Sequence, residues 1–178
     1  MWLLAGVSAA DARELRSEFE LFAGPNAVAR FALEDLSGRK RTPADYTDLV
    51  LVVNFWASWC ISCVAEFPTL HSMRVQLTGE PFELLAVNVG EDSQTASRFL
   101  NGLIPDFSFP VLLDENMVMT REWGVRALPT SFIVDMQGRI VYFAEGERDF
   151  AKPEVVDWLR RLIPSRRTEA RSAGHDGD

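Results

Sequence analysis

Two stretches of the chain carry almost no polar residue: LVLVVNFWA (Leu49–Ala57) and FELLAVNVG (Phe82–Gly90). A continuous apolar run of this length predicts a strand covered on both faces, not one alternating between core and water. Between the two runs the period becomes helical. From Cys60 to Leu77, the residues Cys63, Phe67, Leu70 and Leu77 share one stripe, and Pro68 bends such a helix without ending it. Gly79 breaks the pattern. Ser93–Leu103 predicts a second helix with Ser93 as its N-cap, Phe109–Asp114 a short strand and Asn116–Trp123 a short helix. Thr130–Asp135 and Arg139–Gly146 predict an antiparallel hairpin turning at Met136–Gly138, and Pro153–Ile163 an amphipathic helix with proline at its start.

The segment upstream is patterned differently. Leu15, Phe19 and Phe22 at i, i+4 and i+7 predict a helix over 13–22, ended by Gly24–Asn26. Val28–Arg41 alternates apolar and polar and turns at Ser37-Gly38, as a β-hairpin does, and Pro43–Tyr46 forms a helical turn. Strands alternating with helices predict an α/β fold with helices on both faces of the sheet. The closing hairpin makes that sheet mixed. The expected organisation is an N-terminal segment over 1–26, one domain over 27–164 and a polar, disordered tail over 165–178.

Composition narrows the function. With 47% hydrophobic residues the 178-residue chain is that of a folded protein, and a net charge of −8 without a Lys/Arg stripe argues against nucleic acid as a partner. The apolar start, Met1–Ala12, falls short of the ~20 residues that span a bilayer and lacks a basic leader. Ala10 and Ala12 suit cleavage, so a clipped or mis-started export signal stands beside the plainer reading of a frayed helix start.

The chain has two cysteines, Cys60 and Cys63. They are too few for a disulfide scaffold. A zinc site usually needs four ligands, and His71 and His175 are the only further soft candidates, so no metal site and no cofactor are expected. Val64, not histidine, follows Cys63, which excludes a c-type haem attachment sequence. Redox use remains. Cys60 falls where a buried strand gives way to a helix, whose unpaired N–H groups and dipole stabilise a thiolate and lower its pKa from ~8.5 toward ~7. Cys63, one turn on, is placed to resolve a mixed disulfide on Cys60. Two inert core cysteines are the bland alternative, and their position between strand and helix counts against it.

Glu66 lies three residues beyond Cys63 on the same helix, and none of its i±3 or i±4 neighbours (Ser62, Cys63, Thr69, Leu70) is basic. A surface carboxylate is the plain reading. A buried one would have a raised pKa and could exchange a proton with Cys63. Leu128-Pro129-Thr130 precedes a predicted strand, where a cis proline makes a tight turn, although cis bonds are only ~5% of X–Pro bonds.

Taken together, VVNFWASWCISCVAEFP, LLAVNVGED, FPVLLDENMVMTREWGVRALPTSFIVDMQGRIV and EGE resemble the TlpA/ResA branch of the thioredoxin-like proteins, over Phe31 to Pro164. The hairpin before the domain and the helix inserted at Ser93–Leu103 also belong to that branch. The resemblance implies a thioredoxin-like fold and a thiol–disulfide oxidoreductase with Cys60 as exposed nucleophile and Cys63 as buried partner. Trp59 would cover the disulfide. Pro129 would be cis and face it, and Leu128 would pair through its backbone with an extended substrate, with Thr130 beside it. Glu66 matches a glutamate of the branch near the active site, while Asn54 stands where plain thioredoxins carry a buried aspartate. The dipeptide Ile61-Ser62 departs from the proline many relatives place there, so the sequence does not fix the potential. The implied setting is periplasmic or otherwise extracytoplasmic, with tethering through an N-terminal segment. The implied partners are protein disulfides, apocytochrome c among them, and a membrane electron donor. Oligomeric state is not specified. Three other readings are weaker. A peroxiredoxin-type peroxidase lacks its Pro-x-x-x-Thr-x-x-Cys motif here. A copper carrier would need Met117 and Met119 as soft ligands, and a peptide-binding scaffold would not need both cysteines.

Overall fold

The structure is a computed structural model that describes residues 19–22, 28–104 and 107–163. Met1–Ala12, most of the expected helix over 13–22, Gly24–Asn26 and the tail over 165–178 lie outside the described residues. The elements in chain order are β1 (Glu20–Leu21), β2 (Leu33–Asp35), β3 (Lys40–Arg41), a 3₁₀ turn (Pro43–Tyr46), β4 (Val50–Trp56), α1 (Ile61–Gln76), β5 (Phe82–Val89), α2 (Ser93–Leu103), β6 (Val111–Asp114), α3 (Val118–Glu122), β7 (Thr130–Val134), β8 (Ile140–Glu145) and α4 (Pro153–Leu162). The strands form one mixed sheet in the order β1-β8-β7-β4-β5-β6-β2-β3. β4 sits inside it, parallel to β5 and antiparallel to β7.

Alternation along β4 separates two cores. Val50, Val52 and Trp56 join Phe67 and Leu70 of α1, Ala96 and Leu100 of α2, and Trp158 and Leu159 of α4. Leu51, Val53 and Phe55 point the other way, to Tyr46, Met119 and Trp123. Every residue of β4 is therefore buried, which is why it reads as an unbroken apolar run. Helices cover both faces, as the alternation of elements predicts, with the longer ones on the α1 side. α1 runs through Pro68 to Gln76.

Three local expectations need correction. Glu20–Leu21 is a strand, not part of a helix; it pairs with β8 through Glu20↔Phe143 and Leu21↔Tyr142. Phe19 enters the α1-side core and stacks on Trp158, while Phe22 packs beside Phe132 on the opposite face. Residues three apart reach opposite faces only in extended chain, so the helical spacing of these phenylalanines is coincidental. The N-cap of α2 is Asp92, which accepts the Thr95 N–H at 2.7 Å, rather than Ser93; the two residue types are near-equal caps. The hairpin is shorter than the alternating stretch: β2 and β3 pair through Leu33↔Arg41 and Glu34↔Lys40, and β2 also pairs with β6.

Candidate active site

The polypeptide leaves β4 at Trp56 and turns at once. The Cys60 N–H closes that turn onto the Ala57 carbonyl at 3.1 Å, and Cys60 becomes the N-cap of α1. Its Sγ accepts the Cys63 N–H at 3.2 Å, one of the donors that a helix start leaves unpaired. Cys60 and Cys63 are joined in a disulfide with their Cα atoms 5.2 Å apart. Both cysteines are buried, Cys60 at 6% exposure and Cys63 at 1%, so Cys60 is the more accessible residue of the pair. Around this small opening two apolar side chains stand in solvent, Trp59 at 69% and Ile61 at 87% exposure.

Glu66 is 1% exposed, more deeply buried than its flanking position beside the helix's apolar row suggests. Its Oε2 accepts the Asn54 amide at 2.8 Å and its Oε1 the Arg148 backbone N–H at 2.9 Å. Burial pushes its pKa up to about 7, against the pull of the Arg148 and Asn54 hydrogen bonds. Asn54 gives a second N–H to Ser131 Oγ at 2.9 Å, which ties β4, α1 and β7 together. The next turn of α1 is locked to the same distant loop, because Thr69 Oγ1 accepts the Phe150 N–H at 3.1 Å.

The Leu128-Pro129 bond is cis. The Pro129 carbonyl accepts the Gly146 N–H at 2.8 Å, and the Thr130 hydroxyl donates to the Ala127 carbonyl at 2.8 Å. Thr130 pairs with Phe55 in the ladder, so this turn lies at the end of the sheet from which β4 leads to Cys60. The Thr130 side chain is buried and braces the turn from inside, while Leu128 is half-buried.

The structure thus gathers Cys60, Cys63, Glu66 and the Pro129 turn at one end of the sheet. It does not gather the methionines with them: Met119 packs in the core on the opposite face, and Met117, in a left-handed conformation with φ of 54°, caps α3. Among the described residues no group of three or more His, Cys, Asp and Glu is placed to hold a metal, and no helix is long and apolar enough to cross a membrane. Sequence reasoning missed the two donors to Glu66, the amide of Asn54 and the Arg148 backbone N–H, and Ser131, which accepts the second N–H of Asn54. It also missed Glu91, which binds Ser58 and Asn88. A signal existed for two of these: Asn54 and Asn88 are polar residues inside apolar runs, and a buried amide needs partners.

The sequence model of the AhpC/TSA family matches residues 25–143. The thiol-disulfide oxidoreductase ResA of Geobacillus thermodenitrificans is 33% identical over 134 residues, covering 75% of each chain. The Bacillus subtilis protein of the same name is 30% identical over 150 residues, covering 81% of this chain and 82% of its own. Among solved structures, one assigned as the thiol:disulfide interchange protein DsbE of Chlorobium tepidum superposes with a TM-score of 0.65 at 30% identity, over 77% of this chain and 92% of that one.

Proposed function

Given that the chain belongs to the AhpC/TSA family and, within it, is a ResA-like thiol–disulfide oxidoreductase, we propose that it reduces protein disulfides outside the cytoplasm, with Cys60 attacking and Cys63 resolving. In the reduced protein the Cys60 thiolate attacks one sulfur of a substrate disulfide. A Cys60–substrate bond forms, and the other substrate sulfur leaves as a thiolate and takes up a proton. Cys63 then loses its proton and attacks the Cys60 sulfur. The Cys60–Cys63 bond forms and the second substrate thiol is released, so two electrons and two protons pass to the substrate. A dithiol donor reverses the change in the enzyme.

Glu66 is the proton acceptor for Cys63 in this reading. It sits one helical turn away, is buried, and holds its pKa near neutrality, where a carboxylate both takes and returns a proton. This single observation also supports the direction of electron flow. A carboxylate beside Cys63 opposes its ionisation, and a site that disfavours the thiolate favours the disulfide and makes a reducing pair. An extended substrate segment docks along the Leu128 backbone under the exposed Trp59 ring, with Pro129 and Thr130 fixing the turn. Apocytochrome c cysteines as substrate, a membrane dithiol protein as donor, and tethering through an N-terminal segment are proposed on the motif resemblance.

Equilibration of the Cys60–Cys63 pair with defined thiol buffers tests the direction. A potential at or below about −220 mV is expected, and one near −120 mV overturns the reductant assignment. Cys63→Ser should trap a mixed disulfide on Cys60 with a reducible protein such as insulin, and Cys60→Ser should trap none.

A further inference from the structure

Glu91 belongs neither to the disulfide nor to the Glu66 cluster, yet it ends on the turn that carries Cys60. Its carboxylate accepts the Ser58 N–H at 2.9 Å, the Ser58 hydroxyl, and the Asn88 amide at 2.7 Å. Ser58 is the second residue of the Ala57–Cys60 turn. Trp59, the third, has its ring largely in solvent, so although Ala57 and Cys60 are buried at its ends, side-chain packing does little to fix the middle of this turn. The anchor on Ser58 does. At its other end, Asn88 is wholly buried on β5 opposite Trp56, and Asp92, next to Glu91, caps α2. One carboxylate therefore joins the active-site turn, the end of β5 and the start of the inserted helix.

We propose that Glu91 is a positioning residue for the nucleophile: by holding both polar groups of Ser58 it fixes the turn that delivers Cys60 to the start of α1, and it couples that turn to α2. The inference rests on Cys60 being the attacking thiol. Hydrogen bonds to a carboxylate are among the stronger ones in proteins. The benefit a thiolate draws from a helix start falls off within the first turn, so it depends on where the turn places the sulfur. Glutamine at position 91 can keep the whole arrangement. Its carbonyl, in the place of Oε2, takes the Ser58 and Asn88 N–H groups, and its NH₂ donates to Ser58 Oγ. Alanine keeps none of it.

The test is the pH profile of iodoacetamide alkylation of the reduced full chain, with the modified cysteine identified by mass spectrometry. It compares wild type, Glu91→Ala, Glu91→Gln and Ser58→Ala, each with its thermal unfolding midpoint. Glu91→Ala is expected to slow alkylation of Cys60 about tenfold at neutral pH and to move the midpoint of the profile upward. Glu91→Gln should stay within about twofold of wild type, and Ser58→Ala, which keeps the N–H bond, should fall between them. A folded Glu91→Ala with the wild-type profile overturns the inference. So does Glu91→Gln slowed as much as Glu91→Ala, since charge and not position would then be the cause. If Glu91→Ala does not fold, Ser58→Ala decides: a slowed profile supports the inference and an unchanged one overturns it. Wild type alkylated first at Cys63 removes the premise itself, a failure of the nucleophile assignment that is visible without any variant.

Discussion

Two buried carboxylates, Asp35 in the hairpin and Glu66 behind the cysteines, meet opposite fates. Asp35 is 6% exposed and Glu66 1%, so burial pushes both upward. Around Asp35 the donors win: the Ser37 hydroxyl, the Arg41 guanidinium and the backbone N–H groups of Ser37 and Arg39 pull it down to about 2. Glu66 has two donors, an amide and a backbone N–H, and neither carries a full charge. Its pKa stays at about 7. The difference lies in the number and charge of the donors and also in depth, since Glu66 sits far deeper beneath the surface than Asp35. A fully solvated or fully paired carboxylate is a fixed anion, whereas a buried and underpaired one is a proton carrier at neutral pH.

The largest expected effect comes from removing the underpaired group. Glu66 has a pKa of about 7 in the fold against 4.5 when exposed. Between those values the native state keeps a proton that the unfolded chain has lost. The contribution of Glu66 to stability is therefore fullest below 4.5 and is lost as pH rises through 7. Glu66→Gln has no such proton, so its stability relative to wild type should grow by roughly 3 kcal/mol from low to slightly alkaline pH, read from denaturant unfolding at each pH. A difference that stays flat with pH would mean that the fold does not raise the Glu66 pKa at all. Asp35→Asn should act with the opposite sign. At pH 7 it should cost about 2 kcal/mol, an advantage of the wild type that is present above 3.8 and lost as pH falls through about 2. The alkylation profile of Cys60 should not move. The smallest change sharpens the comparison: Asn54→Leu removes one of the two donors, so the titration assigned to Glu66 should rise by about half a unit to one unit.

The same two carboxylates show what could be read in the sequence. All donors to Asp35 lie within six residues of it, inside a hairpin whose alternation and Ser37-Gly38 turn are plain. Cys60, Cys63 and Glu66 are legible for a similar reason, since one helix spacing relates them. The partners of Glu66 are not, because Asn54 comes from 12 residues away and Arg148 from 82. Which carbonyl or N–H a folded loop will present there is decided by tertiary packing. The order of strands and helices was readable because strands buried on both faces leave unbroken apolar runs. The error at Glu20–Leu21 arose where a two-residue strand leaves too short a pattern for either period to show. The cis bond at Pro129 had no local signal beyond its base rate and came from the resemblance alone.

The reach from Glu66 to Arg148 has a consequence for the newly made chain. During synthesis both cysteines and Glu66 emerge long before the loop that encloses the carboxylate, and β8, α4 and Phe150 must arrive before that wall exists. Until then Glu66 lacks the Arg148 N–H and the loop that covers it, although β4, β5 and α2, against which its helix packs, have already emerged. The tuned chemistry thus appears only with the completed domain. A half-made copy carries the same two sulfurs but not yet the proton carrier that distinguishes this site from any other pair of thiols.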